Sequence, residues 1–198
     1  MDRRQAPNDR VATDVTGRML IAGVGNIFLG DDGFGPEVAN RLAAVSLPGW
    51  VRVADYGISG MHLAYDLAGG YETAILIDTA QRGEPPGTLT VIEAGRPEET
   101  GAPLEGRLFD AHGMQPDVVL GVLDMLGAAA RVLVVACEPA SLDYGMELSE
   151  PVAAAVGEAA AVVIRLIAEI GADVAIAASS SAARSSGEGA LYVPRHTR

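Results

Sequence analysis

The chain has 198 residues, enough for one ordinary domain with a single sizeable core. Apolar residues make up 49 % and charged residues 20 %, a globular balance rather than a disordered one. A net charge of −12 repels phosphate backbones and anionic lipid, so nucleic acid and membrane surfaces are poor partners.

Lysine is absent from the sequence, which removes both a P-loop and Schiff-base catalysis. The single cysteine, Cys137, can form neither an internal disulfide nor a cysteine-rich metal site, and fits a reducing compartment. The opening "MDRRQAPNDRVATD" lacks the apolar core of a secretory signal. The most apolar long stretch, "VAAAVGEAAAVVIRLIAEI", is interrupted by Glu158, Arg165 and Glu169 and does not read as a membrane span. A cytoplasmic, monomeric protein without a membrane segment is expected. Residues 1–17 are polar and aperiodic, and residues 173–198 are rich in Ser, Ala and Gly; both read as disordered tails around one domain over 18–172.

Within that domain, "RMLIAGVG" (18–25) is an apolar run ending in glycine, a buried strand. A helix over about 33–45 follows, with Phe34, Val38, Leu42 and Val45 on one face; Asp31 or Asp32 can cap it, and Pro36 suits its first turn. "VRVADYG" (51–57) alternates as a second strand. "SGMHLAYDLAGG" (59–70) predicts a short helix with Ser59 as its N-cap. "TAILIDTA" (73–80) is a third strand, apolar on both faces until Asp78, and "TLTVIEA" (88–94) a fourth. Only "QRGEPPG" separates these two, too little for a crossover helix, so the fourth strand should run antiparallel to a neighbour. A helix over about 114–127, a fifth strand "RVLVVAC" (131–137) and a last helix over about 149–170, capped by Ser149, complete the order. This is an α/β pattern. It predicts a twisted, mostly parallel five-stranded sheet with one antiparallel strand, sandwiched between helices on both faces.

In such sheets the functional crevice lies beyond the carboxyl ends of the strands. The polar residues falling there are Asn26, Asp31, Asp32, Asp55, Asp78, Asp110, His112 and Glu138. The glycine-rich turn "GVGNIFLGDDGFG" resembles a dinucleotide loop, but Phe28 occupies the position of the third glycine. Asp31 and Asp32 would also repel a pyrophosphate at the helix N-terminus. A cation is the better fit. Asp32, Asp78 and His112 offer two carboxylates and an imidazole, a set that suits zinc, nickel or manganese. A carboxylate directly after "AILI" is drawn toward the core and needs a partner or a metal. His62 and His196 read as incidental, and Cys137 as a small buried strand residue.

The blocks "GVGNIFLGDDGFGPEVANRL", "DYGISGMHLAYDL", "ILIDTAQRGEPPGTL", "AHGMQPDVVLGVL" and "CEPASLDYGMELSEPV" follow one another in the order of the hydrogenase maturation proteases. The chain resembles that family over roughly residues 19–170. The resemblance implies a metal-dependent or aspartic-type endopeptidase. Its partner would be the large-subunit precursor of a nickel–iron hydrogenase, from which it removes a C-terminal extension after nickel insertion. It implies a metal triad at Asp32, Asp78 and His112, with the carboxylates of Asp32 and Asp78 as catalytic groups. The metal would be nickel supplied by the precursor. Asp32 stands where many members carry glutamate, and "DAHGM" departs from the Ser-Pro-His-Gln of some members. Asn26, Asp55, Gly57 and Gly60 are candidate substrate contacts, the glycines because they admit a close chain. Two alternatives accompany this reading: a nickel-dependent chaperone that binds the precursor without cutting it, and a peptidase of the same fold with another substrate.

Overall fold

A computed structural model describes residues 18–94 and 130–185. Five strands, β1 (Met19–Val24), β2 (Val51–Gly57), β3 (Thr73–Thr79), β4 (Leu89–Ala94) and β5 (Arg131–Cys137), form one sheet in the order β2-β1-β3-β5-β4. All neighbours pair in parallel except β4, which runs antiparallel to β5. The short link between β3 and β4 has the consequence expected of it. The helices are α1 (Phe34–Ala43), α2 (Gly60–Ala68) and α3 (Glu150–Ser185). The helix expected over 114–127 lies outside the described residues, as do residues 1–17.

The period-two alternation of the strands builds two cores, one on each face of the sheet. Met19 and Ile21 of β1, Ile75 and Ile77 of β3, and Leu133 and Val135 of β5 pack with Phe34, Val38 and Leu42 of α1 and with α3. The intervening residues, Leu20, Ala22, Ala74, Leu76, Val132 and Val134, pack with Leu63 and Leu67 of α2. The central strands are buried on both faces, which is why they read as continuous apolar runs. Tyr56 donates its hydroxyl to Asp66 Oδ2 at 2.6 Å and ties α2 to β2. Burial, with that hydrogen bond and charge, holds the Tyr56 hydroxyl well above the usual tyrosine range.

Two glycines let α1 lie directly on the sheet. A methyl group at Gly35 would collide with the carbonyl oxygens of Val24 and Ile77, and one at Gly23 would stand 2.5 Å from the Gly35 oxygen. Glycine here is a matter of close approach, which draws the start of α1 over the carboxyl ends of β1 and β3.

Three local expectations change. Neither Asp31 nor Asp32 caps α1: both lie in a single 3-10 turn, Gly30–Gly33, and the N-cap is Gly33 without a side-chain hydrogen bond. Ser59 makes no capping bond to α2 either. The last helix runs on to Ser185, so the boundary placed at 172 falls inside it. "ADVAIAASSSAARS" contains neither Gly nor Pro, and its alanines favour the helical backbone. Residues Glu150–Asp173 are long and apolar enough to cross a membrane by composition, but Val152, Val156, Ala159, Val163 and Ile167 are buried in the core against the sheet. That burial accounts for the apolar stripe.

Candidate active site

The turn after β1 and the end of β3 bring two carboxylates to one point. Asp32 and Asp78 are both buried, at 4 % and 5 % exposure. Thr79 joins them. Its backbone N–H donates to Asp78 Oδ1 at 2.7 Å, and its hydroxyl donates to Asp32 Oδ1 at 3.1 Å. The other Asp32 oxygen accepts the backbone N–H of Asn26 at 2.7 Å. The close turn needed for that bond depends on Gly25, whose φ is +132° and where a side chain would strike the Asp32 carbonyl.

The electrostatics follow from this packing. Burial, and secondarily the charge of Asp32, holds the Asp78 carboxyl well above the usual carboxylate range; the Thr79 N–H opposes the shift without reversing it. Among the described residues Asp78 accepts that one hydrogen bond, and no buried oxygen of either carboxylate is left unpartnered. A carboxylate can accept about four hydrogen bonds, so both groups keep acceptor capacity for a ligand. Two acids packed together, with no basic neighbour bonded to them among the described residues, suit a cation or a shared proton.

Asp31, next in sequence, does something different. Its Oδ2 accepts the backbone N–H groups of Ala140 and Ser141, at 2.8 and 3.0 Å, and the Ser149 hydroxyl at 2.9 Å. Its Oδ1 accepts the Ser149 N–H at 2.6 Å. Burial pushes its carboxyl up, but these bonds together outweigh burial and hold it below the ordinary value. Asp31 therefore clamps the segment after β5 to the turn after β1, while Asp32 turns to Thr79. The Ser149 hydroxyl, expected to cap α3, is engaged in this clamp instead. Glu138 is occupied similarly, accepting the N–H groups of Arg82 and Gly83 at 2.7 and 3.2 Å.

The other expected residues distribute as follows. Asn26 lies beside the pair, its own side-chain oxygen accepting the Phe28 N–H at 3.0 Å. Asp55 is exposed at the end of β2 and accepts the N–H of Gly57 at 2.8 Å; Gly57 has φ +50° and its carbonyl accepts the Gly25 N–H at 3.0 Å. This joins the β2 turn to the β1 turn. Gly60 is the buried first residue of α2. His112 and Asp110 lie outside the described residues, and no group of three His, Cys, Asp or Glu able to hold a metal occurs among the described ones. Cys137 is fully buried, and burial with the charges of Asp31 and Glu138 pushes its thiol up to about 12, which makes it a poor nucleophile.

Residues 36–166 match the hydrogenase maturation protease family. The chain belongs to that family. It is 30 % identical over 167 residues to the hydrogenase expression/formation protein HupD of Rhodobacter capsulatus, covering 83 % of this chain and 78 % of that one. The hydrogenase 2 maturation peptidase of a Thaumarchaeota archaeon is 33 % identical with a TM-score of 0.59, over 76 % of this chain and 98 % of that one. The hydrogenase maturating endopeptidase HybD of Escherichia coli gives 26 % and 0.63, over 77 % and 93 %. The protease is thus an endopeptidase of hydrogenase maturation, with the family's five-stranded mixed sheet.

Two features of the protease's site escape the sequence reading: Thr79 as the bridge between the carboxylates, and the Asp31 clamp. A hydroxyl residue directly after Asp78 is the available signal for the first. The second carries none, because Asp31 and its partners are separated by 109 to 118 residues.

Proposed function

We propose that the protease removes a C-terminal extension from the large-subunit precursor of a nickel–iron hydrogenase, and that Asp32 and Asp78 carry the site. The observation behind this reading is the meeting of two buried carboxylates on Thr79, at the carboxyl edge of the sheet, in a member of this family. The donor chemistry suits the precursor's nickel as part of the substrate: two carboxylates with spare lone pairs, joined by the imidazole of His112, make an oxygen–oxygen–nitrogen set with positions open for other ligands. A precursor without nickel would then dock poorly, which couples cutting to completed metal insertion.

At the cut bond, water adds to the scissile carbonyl carbon, the C–N bond breaks, and the leaving amine takes a proton. Asp32, bonded to two donors and facing the site, is the group suited to orient the water and accept its proton. Asp78, whose burial favours the protonated acid in the free protease, would release that proton on meeting the precursor's nickel and supply it to the leaving amine. Asp55 and Gly57, on the joined neighbouring turn, are placed to meet the substrate chain. The test is the mass of a nickel-loaded precursor before and after incubation with the protease. Loss of a discrete C-terminal peptide, absent when nickel is omitted, is expected. An unchanged mass would overturn the reading in favour of a chaperone.

A further inference from the structure

Beyond the acid pair, the two clamped loops carry exposed apolar side chains. Phe28 is 58 % exposed, Tyr144 95 % and Met146 69 %. They are neighbours by construction. Leu29 and Gly145 form a parallel bridge, in which Gly30 N–H donates to the Gly145 oxygen at 2.8 Å and Gly145 N–H to the Phe28 oxygen at 3.0 Å. Phe28 immediately precedes Leu29, and Tyr144 and Met146 flank Gly145, so the bridge brings the three exposed residues together. Gly145 contributes no side chain to the bridge, which leaves only that of Leu29 there. The Asp31 clamp, with a further bond from Asp31 N–H to the Ser141 oxygen at 3.1 Å, holds this arrangement rigid. The face begins two residues from Asn26, whose N–H is bonded to Asp32.

We infer that Phe28, Tyr144 and Met146 form the docking surface for apolar side chains of the substrate polypeptide flanking its cut bond, with Asp31 as the positioning residue that holds the surface in place. The inference rests on the functional reading above. Three observations select a polypeptide substrate as the occupant. The surface includes Phe28 of the same turn that carries Asp32, beside the acid pair to which that polypeptide must be delivered. It exposes on the order of 400 Å², about half of the roughly 800 Å² per partner of a stable protein–protein interface, which suits a transient substrate better than a second copy of the chain. The two loops, 25–33 and 138–149, carry Asp31, Asp32, Glu138, Asp143 and Glu147 and no basic residue, and the exposed Asp143 and Glu147 flank Tyr144 and Met146. The matching partner presents apolar side chains with cationic rather than acidic neighbours.

The test compares steady-state processing of a nickel-loaded large-subunit precursor by the unaltered protease and by a Phe28→Ser/Tyr144→Ser/Met146→Ser variant, with thermal midpoints and sedimentation measured on both. The expected result is a KM raised about tenfold or more with kcat within about twofold, the pattern of lost ground-state binding, at an unchanged midpoint because the three side chains are exposed. Asp31→Asn should raise KM in the same direction, with Asp31→Glu restoring part of it. Processing at the original KM by the triple variant would overturn the surface and leave the functional reading standing. Absence of processing by the unaltered protease would overturn that reading and the surface with it. A dimer of the unaltered chain that the triple variant disperses would assign the face to a second copy instead.

Discussion

Replacing Asp31 with alanine removes one carboxylate and, with it, four acceptor contacts, from Ala140, Ser141 and both donors of Ser149. Hydrogen bonds to a charged group contribute about 1.5–3 kcal/mol each when buried. The donors here are only partly buried, so water compensates some of the loss, and about 1 kcal/mol per contact is the reasonable scale. The sum is ~4 kcal/mol, a large share of the roughly 5–15 kcal/mol that holds a domain folded. At about 2–4 °C per kcal/mol for a chain of this size, the thermal midpoint should fall by about 8–16 °C. Asp31→Asn keeps one acceptor oxygen but turns an NH2 toward backbone donors, and should cost about half as much. Because the folded carboxyl titrates below its ordinary value of 3.8, the clamp's contribution is complete above that pH and fades as pH falls through the lowered value. The gap between the unaltered chain and Asp31→Ala should therefore stay constant above pH 3.8 and begin to narrow below it. Urea unfolding followed by circular dichroism at pH 7 and at pH 3 measures both effects. A cost below about 1 kcal/mol for Asp31→Ala would refute the clamp.

Other consequences are as direct. Asp78→Asn should slow processing by a factor on the order of 10² or more while raising the thermal midpoint at pH 7, since it relieves a buried acid held above its ordinary value of 3.8. The sign follows from linkage: the protonated acid is tolerated below 3.8, and its stability contribution is lost as pH rises through the raised folded value, so the advantage of the Asp78→Asn variant should vanish near pH 3 by differential scanning calorimetry. Gly35→Ala should lower stability by about 3 kcal/mol or more, because the methyl group meets the backbone carbonyls of Val24 and Ile77; urea midpoints measure it. A small thiol-blocking reagent should leave native Cys137 unmodified by mass spectrometry at pH 7 and modify it only after unfolding, given a thiol pushed up to about 12.

The sheet was legible because its central strands are apolar on both faces, and β4 was placed antiparallel because "QRGEPPG" cannot hold a crossover. The end of α3 was not, because Ser and Ala in "AASSSAAR" suggest a tail by composition yet carry no helix breaker. The burial of Asp78 was legible from a carboxylate closing an apolar strand. The different surroundings of the acidic pair in the first turn were not: Asp31 and Asp32 are the same residue type in one motif, and only the distant 140–149 segment, bonded to Asp31, and Thr79, bonded to Asp32, distinguish them. Sequence patterns report each element's own periodicity, whereas this division of labour exists only once the segments after β1 and β5 meet.

The most direct test of the acid pair is the single-turnover rate of precursor cleavage by Asp32→Asn, Asp78→Asn and the double variant. Groups acting at one site should each lose a factor on the order of 10² or more, with the double variant little slower than the worse single one. Cleavage by both single variants at the unaltered rate would contradict the assignment of the active site to Asp32 and Asp78.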